Sequence, residues 1–353
     1  MKIKQTLLLT ATFAAASALL IFPAQAAAGA QNGIGYCLQI LVPSLYPFMV
    51  LAVFLVKSGL SDAIGRVFEA PSRALLKLPG SAATAVLMSM IGGYPTGGRS
   101  VAALYEAGSV TGEQAARMLC FCVNSGPAFV ISAVGAGFLK NRQSGYILFA
   151  SQILASVVLG LISGLTAGKQ PKTKIQPKKA AAMRTTSALI VSAADAARSM
   201  LSMCSFVILF AAGLSLLRIW VKSPGWSAAL SGLLEVTGGC SDFAKLQLPL
   251  WAVSFIIGWG GLCVHCQVLS SVEKIPVRLP QFLLFRVLHG ILAALITRAM
   301  EGAFPSAQET FSNTTAILVP NFSGSVPAAA ALLALCATFI YSISSKKLET
   351  INN

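Results

Sequence analysis

Apolar residues run along this chain in blocks, several of which reach the roughly 20 residues that cross about 30 Å of hydrocarbon. The pattern predicts an all-α, polytopic membrane protein. A first block, Thr6–Phe22, follows Lys2 and Lys4 and precedes Ala24-Gln25-Ala26. It reads either as a retained membrane helix or as a signal-like leader. Tyr36–Val56 is the next span, interrupted early by Pro43 and Pro47, and it runs into a polar stretch carrying Lys57, Arg66, Arg73 and Lys77. The apolar run Ser81–Ile91 is too short to cross and ends in the glycine-rich stretch Gly92–Gly98, after which a short helix is expected over Arg99–Glu106. Thr111 and Gln114 have the spacing of a capping box, and Glu113 with Arg117 adds a favourable i,i+4 pair. That helix meets Asn124-Ser125-Gly126-Pro127, resumes as Ala128–Leu139, and is followed by a span over Tyr146–Leu165.

The stretch Lys169–Arg184 carries lysines, an arginine and prolines with no acid, the composition of a cytoplasmic linker. It divides the chain into residues 1–30 (N-terminal segment), 31–167 (first half), 168–185 (linker), 186–345 (second half) and 346–353 (polar tail). The halves resemble each other loosely. Ser44–Leu51 is similar to Ser202–Leu209, and Met88–Gly92 to Ser254–Gly258, a register that sets Glu69 opposite Glu235. Tyr36–Val56 ends at a basic loop, whereas Leu201–Leu217 begins after the basic linker, so the equivalent helices are expected to cross in opposite directions. The expected architecture is two inverted repeats with broken or re-entrant helices and about eight membrane segments.

A helix broken at bilayer depth leaves backbone N–H and C=O groups without partners, which survive only when buried in protein or facing a wet cavity. Four breaks are expected, and their residues are the candidate solute contacts. They are Gly93, Tyr94, Pro95, Thr96 and Gly97 at the first, and Asn124, Ser125, Gly126 and Pro127 at the second. The third offers Glu235, Thr237 and Gly238, and the fourth Gly260, Gly261, His265 and Gln267. Pro95 and Pro127 suit the first turn of a following helix, and Asn124 or Ser125 is a candidate cap. Half-helix N-termini aimed at a common centre suit an uncharged polar or anionic small molecule. The alternative is that the glycines only allow close packing and the prolines only kink.

Composition narrows the function classes. Of 353 residues, 56% are hydrophobic and 10% charged, against roughly 25% charged in soluble domains. This excludes a soluble enzyme, a disordered chain and a nucleic-acid-binding domain. The net charge of +15 sits mostly in residues that bracket apolar runs. Of the charged groups, Glu235, Arg286 and His289 fall in or beside apolar stretches, where charge is expensive. Glu235 is expected either to carry a coupling ion, proton or sodium, or to pair with Arg286. Cys263-Val264-His265-Cys266 has metal-like spacing but lacks a second CxxC, so packing is the preferred reading and neither a metal nor a cofactor is expected. No catalytic constellation and no GxxxxGK[ST] loop are present, so no enzyme activity is expected.

At the residues of these breaks the chain resembles a known family. Ile91–Gly98, Leu104–Glu106, Asn124–Phe129, Glu235–Gly239, Gly258–Gln267 and Pro43–Phe48 are similar to the sporulation integral membrane protein YlbJ family, a likeness spanning about residues 20–345. That family contains the nucleoside-recognition or Gate domain, shared with spore maturation proteins, the gate region of the iron transporter FeoB and concentrative nucleoside transporters. Cys263 and Cys266 stand where small polar residues are more usual in it. The resemblance implies a multi-pass protein of the bacterial cytoplasmic membrane, in a spore-former, with a role in making the spore cortex. The expected function is that of a permease for a small polar solute. A non-transporting scaffold that docks sporulation partners is the alternative, and an iron gate using Cys120, Cys122, Cys263 and Cys266 ranks third. The lipid bilayer, a small polar solute and a coupling ion are the expected partners, nucleic acid is not, and the oligomeric state stays open.

Overall fold

In a computed structural model, residues 3–167 and 185–303 are described; the basic linker, the second half beyond Ala303 and the polar tail lie outside the described residues. Every regular element among the described residues is helical. Helix α1 (Ile3–Ile21) turns by 96° at Phe22 into α2 (Pro23–Tyr36), with Pro23 in the first turn, where its missing N–H costs nothing. Through a π-wound stretch, Cys37–Leu41, α2 continues into α3 (Val42–Lys57), so the span expected from Tyr36 begins earlier and absorbs Pro43 and Pro47 without ending. An 84° bend leads to the amphipathic α4 (Leu60–Val67).

The centre of the first half is a hairpin. Helix α5 (Ala82–Gly92) and α6 (Tyr94–Glu106) are separated by the single residue Gly93 and lie against each other. Gly93 has φ +84°, a conformation that glycine alone adopts freely. The break is therefore one residue long. Gly97 and Gly98 are inside α6, which corrects both the glycine-rich loop and the expected start at Arg99. Helix α7 (Gly112–Leu119) begins at the capping box, with Gln114 N 3.2 Å from Thr111 Oγ1 and Thr111 N 2.9 Å from Gln114 Oε1. It stops at Leu119. The chain is non-helical to Pro127 and resumes as α8 (Ala128–Phe138), which is π-wound, before α9 (Arg142–Leu165).

The second half opens with α10 (Thr185–Leu217). Helices α11 (Pro224–Leu234) and α12 (Val236–Lys245) form a second hairpin, broken at Glu235. Gly238 and Gly239 are inside α12, so this break is also shorter than expected. Helices α13 (Leu250–Trp259) and α14 (Gly261–Ser271) make one broken span, with Gly260 at φ +83°, and α15 (Leu279–Ala303) follows. Four helical stretches are long and apolar enough to cross a membrane: α9, α10, α13 with α14, and α15. The number rises to six if each of the two bent pairs near the N-terminus counts as one span.

All described residues belong to one compact unit. Its interior packs small, aliphatic and aromatic side chains together, and many further large apolar groups face outward: Leu201 is 70% exposed, Leu209 64% and Leu295 62%. In water this would be an unstable surface; in lipid it is the solvent-facing one. Across the two halves, Asp195 of α10 binds Lys57 at the end of α3 (2.6 Å) and Arg99 of α6 (3.3 Å).

Candidate functional site

The four interruptions meet. A Cβ placed on Gly126 would lie 2.9 Å from the Ile91 carbonyl oxygen and 3.0 Å from Gly93 N, so the first break is pressed against the second. A Cβ on Gly261 would lie 3.0 Å from the Leu234 carbonyl oxygen and 3.1 Å from Glu235 N, which joins the fourth to the third. Tyr94 connects these two pairs: its ring is 3.5 Å from the ideal Cβ position of Gly260, and its hydroxyl donates to the Ile257 carbonyl.

Each break exposes carbonyls that no helix turn can satisfy, and named side chains take them. Arg286 of α15 donates to the carbonyls of Val123 and, at 2.9 Å, of Cys120. Ser156 donates to the Phe121 carbonyl at 2.7 Å. Trp259 Nε1 donates to the Leu233 carbonyl at 3.0 Å, while His265 Nε2 sits 2.9 Å from the Trp259 carbonyl. Thr96 returns its hydroxyl to the Gly92 carbonyl at 2.8 Å. A buried carbonyl left alone in hydrocarbon costs several kcal/mol, so these donors are what permits the chain to break at depth.

Glu235 does the converse. Only 2% exposed, it caps α12, its carboxylate accepting from Thr237 N at 2.8 Å and Gly238 N at 2.6 Å. The expected Glu235–Arg286 pair does not form. Arg286 is engaged by the carbonyls of the second break, where the negative end of α7 attracts a cation, and Glu235 by the positive end of α12.

Between the breaks lies a cavity of about 30 Å³. Of the candidate residues, Gly93, Tyr94 and Pro95 line it from α6 and Gly126 from the start of α8. Glu235 and Thr237 line it from α12, and Gln267 from α14. The remaining wall is apolar and was not among the expected contacts: Leu41, Leu45, Phe129, Met203, Val207, Val236 and Val264. Leu45, Phe129, Val236 and Val264 fall in the stretches that carry the family resemblance and Met203 and Val207 in the internal repeat, but as apolar side chains they carry no chemical signal of a binding site. The volume admits one or two waters but no solute.

The other candidates support the cavity from behind. Asn124 caps nothing: the helix it was expected to start has Pro127 at its cap, and Asn124 Nδ2 instead reaches Ser89 Oγ (2.9 Å), Ser156 Oγ (3.0 Å) and the Phe121 carbonyl (3.0 Å). Ser125 is buried beside it and Pro127 begins α8. Gly97 is held against the Cys122 carbonyl and Gly238 serves Glu235 through its N–H. Gly260 and Gly261 form the turn, and His265 stands edge-on to Trp259 and Phe282. Gln152, which donates to Ser254 Oγ and its carbonyl, and Thr297, bonded to the same hydroxyl at 2.8 Å, were not foreseen.

No family model matches the chain, and no solved structure matches it. Among curated proteins, the sporulation integral membrane protein YlbJ of Bacillus subtilis (strain 168) is 26% identical over 333 residues, covering 82% of this chain and 81% of the relative.

Proposed function

We propose, on the premise that this chain belongs to the family of the sporulation integral membrane protein YlbJ, that it is a permease for a small polar solute in the cytoplasmic membrane, acting during spore formation at the cortex-making stage. The observation that carries the reading is the meeting of half-helix N-termini from α6, α8 and α12 at one cavity beside the buried carboxylate of Glu235. The positive dipole ends there favour an uncharged polar or anionic ligand.

Two inverted repeats support alternating access. Each half runs long helix, re-entrant hairpin, broken span, long helix: α3, α5–α6, α7–α8 and α9, then α10, α11–α12, α13–α14 and α15. Counted in this way the two sets supply eight segments. The order pairs Gly93 with Glu235 and Asn124–Pro127 with Gly260, a better register than the one that sets Glu235 opposite Glu69, a half-exposed residue at the start of a short helix that is bound to Arg73 and to the Gly80 N–H. Helix α3 ends at the basic loop and α10 starts after the basic linker, so the sets run oppositely. The cavity is too small for a solute in this conformation, and rocking one set against the other enlarges it toward each side in turn. Glu235 is the coupling-ion site, and no chemical conversion of the solute is involved.

A scaffold without transport is the second reading, favoured by the donors that fill nearly every broken carbonyl and by the cavity's small size. Binding separates the two. Purified protein is screened for thermal stabilisation against sugars, amino acids, nucleosides and organic acids, with Asn124→Ala and Glu235→Gln alongside. The permease reading expects one class to raise the unfolding temperature of the wild type and not of the variants. Stabilisation by none of the classes supports the scaffold.

A further inference from the structure

A second pocket, of about 180 Å³, lies between the far ends of α6 and α14. Its walls include Arg99, Tyr105 and Glu106 on one side and Ser270, Ser271, Glu273 and Lys274 on the other, two basic groups against two acidic ones. It faces the cytoplasm by connectivity: Arg99 binds Asp195, which also binds Lys57, at the basic end of α3.

Helices α6 and α14 both start at the central cavity and both end at this pocket. Along α6 the order is Tyr94 and Pro95 at the cavity, Gly98, then Arg99 to Glu106 at the pocket. Along α14 it is Val264 and Gln267 at the cavity, Val268, then Ser270 and Ser271 at the pocket. Where the cavity gives way to the pocket, an ideal Cβ on Gly98 would stand 3.2 Å from Val268 Cγ1. The two spaces are separated by Thr96, Gly97 and Gly98 on α6 and by Val268 and Leu269 on α14, and Gly98 and Val268 are the pair that touch.

We infer that the cytoplasmic route to the central cavity is the seam between α6 and α14, that the outer pocket is a first binding station for an uncharged polar solute, and that Val268 against Gly98 is its gate. The station's chemistry follows from its groups. Lys274 is engaged by Glu106 at 3.3 Å, whereas Arg99 keeps a buried Nε without a hydrogen-bond partner. The Ser270 and Ser271 hydroxyls, bonded to the Gln267 carbonyl at 2.9 and 3.0 Å, retain acceptor capacity for a solute donor. The Val268 side chain fills the space beside Gly98, so trimming it to alanine widens the seam there.

This inference rests on the permease reading, and its test is made independent of solute. Gln267→Cys in the full-length protein is reacted with a membrane-impermeant methanethiosulfonate from either face of oriented membrane vesicles, and the adduct at position 267 is quantified by mass spectrometry. Reaction is expected from the cytoplasmic face, faster by roughly tenfold with Val268→Ala and slower by a similar factor with Gly98→Val. Gly98→Ala, a smaller intrusion, serves if Gly98→Val does not fold. Reaction from the outer face alone, no reaction even with Val268→Ala, or a rate unmoved by these changes overturns the route. Failure of every solute to bind, with this labelling pattern intact, would remove the permease reading and leave the route standing.

Discussion

Arg286 holds the carbonyl oxygen of Cys120 at 2.9 Å, from a position 1% exposed. The cation of one half thereby closes the broken helix of the other, and the charge sits where the carbonyl ends of α7 are most negative. Replacing Arg286 by Met leaves two carbonyls orphaned, at a cost of about 3 kcal/mol or more. Thermal unfolding in detergent is expected to show a large drop for Arg286→Met and a smaller one for Arg286→Lys, which can satisfy one carbonyl. Equal stability of wild type and Arg286→Met would refute this role.

Glu235 separates capping from charge. Glu235→Gln keeps only one acceptor oxygen, whereas the carboxylate offers separate oxygens to the Thr237 and Gly238 N–H groups, so it is expected to fold with half of the cap while losing the ion dependence of solute movement. Glu235→Ala removes the whole cap, at about 1 kcal/mol, and should lower the unfolding temperature further than Glu235→Gln does. Comparing the two variants in uptake and in unfolding checks both halves of the statement.

Tyr94→Phe tests the link between the hairpin and the broken span. The hydroxyl that serves the Ile257 carbonyl disappears, the ring stays, and about 1–2 kcal/mol of stability is expected to go with it, measured by thermal unfolding.

Two glycines give opposite expectations. A Cβ at Gly97 would lie 1.9 Å from the Cys122 carbonyl oxygen, where backbone cannot yield, so Gly97→Ala is expected to abolish folded yield in size-exclusion chromatography. Gly213, in α10, has nothing within 4 Å of its Cβ position, and Gly213→Ala should be stabilising by up to about 1 kcal/mol through helix propensity.

Much of this was legible along the chain. Apolar block length gave the membrane class, the Thr111–Gln114 spacing gave a cap that forms as expected, and Gly, Pro and Asn marked four interruptions where the helices do break. Seven of the candidate residues came together at one cavity because orphaned backbone has few places to go at bilayer depth. The extent of the breaks was less legible. Gly97, Gly98, Gly238 and Gly239 look like loop in sequence but are helical, since in a membrane small residues serve close packing as often as turns. The partners of Arg286 and Glu235 were invisible because both bind backbone, which carries no residue-type signal. Asn124 looked like a cap and became a strut for the same reason: its partners, Ser89 and Ser156, are distant in sequence and unremarkable in type.

Solute flux tests the central claim most directly. The protein in liposomes, under an imposed proton or sodium gradient, is offered the radiolabelled members of the class that stabilises it. Accumulation that depends on the gradient, disappears in Glu235→Gln and falls in Asn124→Ala is the expected result. Binding without any accumulation under either gradient would contradict a permease.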